Sequence, residues 1–237
     1  MELEAILTHA LFAATGAACH WGIQSLRHAL SDKAFRDLYH LPRPPESTVR
    51  IICPTQPHTF ADGIASTYED SVAQGLVQAA LLRRGVEARL VLHHSVSRDA
   101  MTEDMFLVCG PVGNSVTKSL FEANPLPFCF ASVDGSWRIV DSSGDLAHPM
   151  IDGPKRDYGI AAALSNPWSR DGNRIWLAAG IRGLGTMAAA RVMTERLDLL
   201  RRQSAARNLS ASFAALVEAT PREAGLPEVS VLRLVHL

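Results

Sequence analysis

Short apolar runs that stop abruptly at proline or glycine constrain this chain more than any other feature. Val49 to Cys53 ends at Pro54, Met105 to Cys109 at Gly110 and Pro111, and Arg174 to Ala179 at Gly180. Runs of this length, bounded by turn formers, are those of strands buried on both faces. Helical patterns alternate with them. Ser66 and Glu69 have the spacing of a capping box ahead of Val72, Leu76, Ala79 and Ala80, and Gly85 stands where a helix C-cap belongs. After a strand from Ala88 to Leu92, Asn114 reads as the N-cap of a helix holding Thr117, Leu120 and Phe121, which stops before Asn124 and Pro125. Phe128 to Val133 and Trp137 to Val140, joined at Asp134 and Gly135, read as a hairpin. Tyr158 to Leu164 is a further strand. A long helix is expected from Thr186 to Arg202, a shorter one from Ala211 to Glu218, and a last strand from Val229 to Val235. Alternation of this kind predicts an α/β fold: a Rossmann-like layered sandwich with a mixed, mostly parallel sheet covered on both faces.

The first 45 residues have a different character. Leu3, Ile6, Leu7, Ala10, Leu11 and Ala14 recur at helical spacing, and a second helical stretch runs from Trp21 to about Tyr39. Pro42, Pro44 and Pro45 end it, because proline removes a helix donor and restrains its neighbour. The expected organisation is therefore a helical appendage at 1–45 and an α/β ligand-binding domain at 46–237. The appendage would serve homo-oligomerisation or a protein partner. The stretch from Ile6 to Ile23 carries His9, Thr15, Gly16 and His20 and follows Glu2 and Glu4, which argues against export and against a membrane span. With 23 basic and 24 acidic side chains, the chain has no cationic excess with which to hold nucleic acid. Cys19, Cys53, Cys109 and Cys129 show no metal-ligand spacing, and three lie in apolar runs, as expected of a reduced cytoplasmic protein.

In open α/β sheets ligands bind beyond the carboxyl ends of strands. Three loops there have suitable residues: Pro54 to Gly63, Gly110 to Asn114, and Gly180 to Thr186. In the third, Gly180, Gly183 and Gly185 precede a helix, and Arg182 adds a charge matched to an anion, with Thr186 beside it. Its G-x-x-G-x-G spacing is neither a P-loop nor the dinucleotide fingerprint. The competing reading is that the glycines serve tight turns and close helix–sheet packing. Gly110, Asn114 and Thr117 in the second loop could bind a ligand, although Asn114 reads first as a cap. Thr55 belongs to the first loop, with His58 and Asp62 as a candidate acid/base pair. Cys53 as a nucleophile competes with simple packing. His93 and His94 are poor joint metal ligands, since neighbours on a strand point to opposite faces. Asp141, Asp145, Asp152 and Asp157 suit turns better than a magnesium site.

The stretch Leu107 to Thr117 has the form G-P-x-x-N-x-x-T. It is followed in order by Tyr158-Gly159-Ile160, Asn166-Pro167-Trp168, Ala179-Gly180, Gly185-Thr186 and Ala189-Ala190. Over 105–197 this set resembles an α/β module of archaeal surface-layer proteins and of poorly characterised prokaryotic proteins. The resemblance implies an α/β domain in which these loops lie together, and the surface-layer relatives would imply scaffolding.

The leading expectation is a cytosolic binding or sensor domain for a small anionic ligand, a nucleotide among the candidates, with no metal and no cofactor assigned. Two alternatives stand beside it: a hydrolase or glycosyl-transfer enzyme using His58 and Asp62 at the same cleft, and a structural module without ligand.

Overall fold

The computed structural model describes residues 32–33, 35, 48–57, 64–65, 67–141, 144, 147–149, 156–203, 212–223 and 225–237. Twelve strands occur among the described residues: β1 (Thr48–Cys53), β2 (Gln56–Pro57), β3 (Ile64–Ala65), β4 (Glu87–Leu92), β5 (Met105–Val108), β6 (Phe128–Val133), β7 (Ser136–Asp141), β8 (Ala147–Pro149), β9 (Asp157–Ser165), β10 (Arg174–Gly180), β11 (Phe213–Thr220) and β12 (Glu228–His236). Among the described residues of the second unit, the α-helices are α1 (Tyr68–Leu82), α2 (Ser115–Ala123), α3 (Gly183–Thr194) and α4 (Leu197–Gln203).

Seven strands form one mixed sheet in the order β12-β11-β9-β10-β5-β1-β4. The β1, β4, β5 and β10 neighbours pair in parallel, and β9, β11 and β12 join antiparallel. The sheet is thus half parallel, where a mostly parallel one was expected. The hairpin is not what mixes it: β6, β7 and β8 form a separate antiparallel sheet. The antiparallel half arises largely from β11, in the segment expected to be helical. Its alanines favour a helix locally, but Phe213 to Val217 are fully buried between β9 and β12, and this packing overrides propensity.

Side-chain alternation sends each strand's residues to two faces. On one face Ile52, Met105, Leu107, Ile160, Ile175 and Leu177 form a core with Val116 and Leu120 of α2 and with Phe128 and Ile139 of the hairpin. The other face carries Phe106, Val108, Ala161, Ala163, Trp176 and Ala178, all buried. Its small residues admit α3, which packs on β9 and β10 and also against α1. Full burial of each larger aliphatic side chain is worth about 1.5–3 kcal/mol. The single helix expected over Thr186 to Arg202 is interrupted: both Glu195 N–H and Arg196 N–H donate to Arg191 O, closing α3 before α4 begins.

Two units are distinguished, Met1–Leu38 and Tyr39–Leu237. In the first, the described Asp32, Lys33 and Phe35 are helical, and the rest of the expected appendage lies outside the described residues. No helix among the described residues is long and apolar enough to cross a membrane.

Candidate functional site

Within the second unit, the carboxyl ends of β5 and β10 meet the first turns of α1 and α3, and a cleft of about 150 Å³ opens there. Gly110, Gly180, Arg182, Gly183 and Thr186, all anticipated as ligand residues, line it together with Thr67, Asp70, Cys109, Phe130 and Trp137. A second, wider cleft of about 580 Å³ shares the Pro111, Val112, Phe130 and Trp137 wall and continues past Phe121, Lys118 and Glu122.

Backbone-to-backbone packing brings α3 to this place. A methyl group on Gly159 would stand 2.4 Å from Gly185 O, one on Gly180 2.2 Å from Thr186 N, and one on Gly185 2.2 Å from Tyr158 O. Only glycine allows the helix to start this close to the sheet. Gly110 abuts Gly180 O in the same manner, and Gly183 abuts Glu69 of α1. Asp157, the first residue of β9, holds the turn: Gly185 N–H donates to its Oδ2 at 2.6 Å and Tyr158 N–H to its Oδ1 at 2.8 Å. Burial pushes this carboxyl above the usual range, and those N–H donors with the Arg182 N–H partly offset the effect. Asp157 is therefore a buried anchor and not the exposed turn residue expected. Part of the positive end of α3 is already used by it, which leaves the Arg182 guanidinium as the cationic side chain lining the cleft. Arg182 is exposed, and no ion pair to it is found among the described residues.

Asp70 is the group that sequence reasoning missed. It lies in the first turn of α1, whose N-cap is Thr67 and not the expected Ser66; Asp70 N–H donates to Thr67 Oγ1 at 3.1 Å. Thr67 and Asp70 carry the same T-x-x-D spacing one residue later, so the signal was present. The side chain is only 2% exposed, and its Oδ1 has no hydrogen-bond partner among the described residues. Burial raises its pKa, and the nearby Thr67, Cys109 and Thr186 side chains offset this in part.

Cys109 adopts φ of 82°, a left-handed conformation rare outside glycine, as the chain turns out of β5. Burial first, and the Asp70 charge second, push its thiol up to about 12. Burial likewise pushes Cys53 up to about 11. Both are thiols at neutral pH, so the nucleophile reading of Cys53 loses to packing.

The remaining anticipated residues are not brought into the cleft. Asn114 is fully buried; its Oδ1 accepts from Val116 N–H and Thr117 N–H, and its Nδ2 donates to Ile52 O and Val108 O. Its bonding capacity is spent on capping α2 and fastening it to β1 and β5. Thr117 is buried within α2, and Gly185 within the first turn of α3. Thr55 Oγ1 pairs with His93 Nε2 at 2.7 Å. Ser115 N–H donates to His93 Nδ1, which places the ring proton on Nε2, donating to Thr55. Burial and then His94 hold the His93 pKa below the usual imidazole value. His93 thus ties the end of β4 to β1 and α2, and no cluster of three metal-binding side chains occurs among the described residues. His58 and Asp62, like Asp145 and Asp152, lie outside the described residues.

The Asn166-Pro167-Trp168 element has a scaffolding part: Asn166 Nδ2 donates to Met101 O and Glu103 O, and its Oδ1 accepts from Trp168 N–H. No family model matches the chain, and no curated protein is significantly similar to it.

Proposed function

We propose that the second unit is a binding domain for a small anionic ligand of the nucleotide class, seated at the carboxyl ends of β5 and β10. The observation that carries this reading is the cleft itself, with the exposed Arg182 at its mouth, the glycine backbone of the Gly110 and Gly180 loops along its side and an aromatic wall beyond. Such a setting suits a phosphate or carboxylate, since Arg182 presents a planar fork of donors to it. A near-neutral protein offers no long-range attraction, so the local groups must do the holding. The wider reading is a Rossmann-like cytosolic sensor, with residues 1–45 as a helical appendage that passes on the bound state. The resemblance to the surface-layer module bears on the scaffold and leaves the cleft's ligand to chemistry.

The test is thermal denaturation with inorganic phosphate, ribose 5-phosphate and the four common ribonucleoside 5′-monophosphates. A ligand at 100 times its dissociation constant adds about 2.7 kcal/mol. At about 2–4 °C per kcal/mol, a domain of this size should then melt about 5–11 °C higher. Arg182→Gln should weaken binding about 10-fold or more, the worth of a charge-assisted hydrogen bond. No shift with any of these compounds, or an unchanged affinity in Arg182→Gln, would refute the reading.

A further inference from the structure

We infer that Asp70 is the sugar-recognition group of this cleft, accepting a hydrogen bond from a ribose hydroxyl of a nucleoside monophosphate whose base lies against Phe130 and Trp137. The inference rests on the anionic-ligand reading above and adds which part of the ligand goes where.

Three observations converge on it. First, Asp70 lines the cleft while only 2% exposed, and its Oδ1 lacks a hydrogen-bond partner among the described residues. The Thr67, Cys109 and Thr186 side chains lie near this carboxyl, yet none of the described residues makes a hydrogen bond to Oδ1. A buried carboxyl oxygen in that state is costly, so a donor arriving with the ligand lowers the penalty. Second, the charges are separated. Arg182 is at the exposed mouth and Asp70 at the floor, so the ligand must be anionic at one end and hydrogen-bond donating at a second point. A phosphate joined to a hydroxylated sugar has this order of groups. A bare phosphate or carboxylate would meet Asp70 as another acceptor.

Third, the cleft continues into an aromatic wall. Phe130 and Ile139 are cross-strand partners, as are Ser132 and Trp137, so Phe128, Phe130, Trp137 and Ile139 share one face of the hairpin. Phe128 and Ile139 fill the core, whereas Phe130 and Trp137 are half-buried and border both clefts. Phe121 meets Phe130 edge to face at 5.5 Å, which sets the inner ring's orientation. A planar heterocycle can stack there, with Lys118 and Glu122 near its edge. Separately the smaller cleft is too small for such a ligand, and with its neighbour it reaches the size range of small-molecule sites.

The experiment compares, by calorimetric titration of the whole chain, each ribonucleoside 5′-monophosphate with its 2′,3′-dideoxy analogue and with ribose 5-phosphate. The dideoxy compound should bind at least about 10-fold more weakly than the ribonucleotide, because it leaves the buried carboxyl unpaired. Asp70→Asn should reduce that ratio, and Trp137→Ala should weaken the nucleotide while sparing ribose 5-phosphate. Equal binding of ribo and dideoxy forms to the wild-type protein overturns the role of Asp70 while leaving an anion site in place. Equal binding of nucleotide and ribose 5-phosphate overturns the aromatic contact. Absence of binding by every compound overturns both this inference and the reading beneath it.

Discussion

Replacing Gly159 by alanine isolates the contact that brings α3 to the cleft. The new methyl would lie 2.4 Å from Gly185 O and 2.9 Å from Ala179 O, where ordinary contact begins near 3.4 Å. Both obstacles are backbone, so no rotamer change can relieve them, and the first turn of α3 must retreat by about 1 Å. Overpacking of this kind costs about 1–3 kcal/mol. The retreat also stretches the 2.6 Å bond from Gly185 N–H to Asp157, a charge-assisted bond worth about 1.5–3 kcal/mol. The combined loss is about 2.5–6 kcal/mol, or a melting temperature lower by about 5–24 °C. Gly75→Ala is the matched control. It sits in α1 with nothing within 4 Å of the added methyl, and it should gain about 0.5–1 kcal/mol from helix propensity alone. Calorimetric scans of the two variants check this. A Gly159→Ala protein melting within 1 °C (about the measurement scatter) of the parent would refute the backbone contact, and with it the account of how the cleft is built.

Other substitutions test the electrostatics and the scaffold. Since the folded pKa of Asp70 is raised, its contribution is fully present below the unfolded value of 3.8 and is lost as pH rises through the folded value. Asp70→Asn should therefore stabilise the protein at pH 7 by about 1 kcal/mol, because a neutral amide costs less to bury than a carboxylate and this gain outweighs a lost helix-dipole interaction of about 0.3–1 kcal/mol. Urea denaturation at pH 5 and pH 7.5 reads the gain, which should be larger at the higher pH. His93 has a depressed pKa, so the unfolded chain takes up the proton first, and stability should fall as pH drops from 6.5 through the folded value. In His93→Gln that part of the acid slope should vanish in a comparison of denaturation midpoints. Asn114→Ala removes two caps on α2 and two donors to strand carbonyls; chemical denaturation should show a loss of about 2–4 kcal/mol.

Much of the architecture was legible because local patterns and tertiary demands agree. The apolar runs that end at Pro54, Gly110 and Gly180 became β1, β5 and β10 within a residue or two, and Asn114 capped α2 as its neighbours suggested. Where the two disagreed, tertiary packing prevailed. The alanine-rich Phe213 to Thr220 segment is a strand because β9 and β12 flank it, a long-range fact with no local trace. The T-x-x-D spacing of Thr67 and Asp70 was visible, yet nothing local distinguishes an exposed capping carboxyl from a buried one.

The sequence by itself therefore determined the alternation of strands and helices, the turns that end them, and the concentration of glycine and polar residues at strand ends, because these depend on backbone freedom and side-chain periodicity. Only the tertiary structure decided which loops share a cleft, which of their residues are spent on packing, and which buried carboxyl oxygen has no hydrogen-bond partner among the described residues. Residues far apart in the chain, Asp70, Cys109, Phe130 and Arg182, meet there. Burial and the neighbours of a side chain are properties of that meeting and of no single segment.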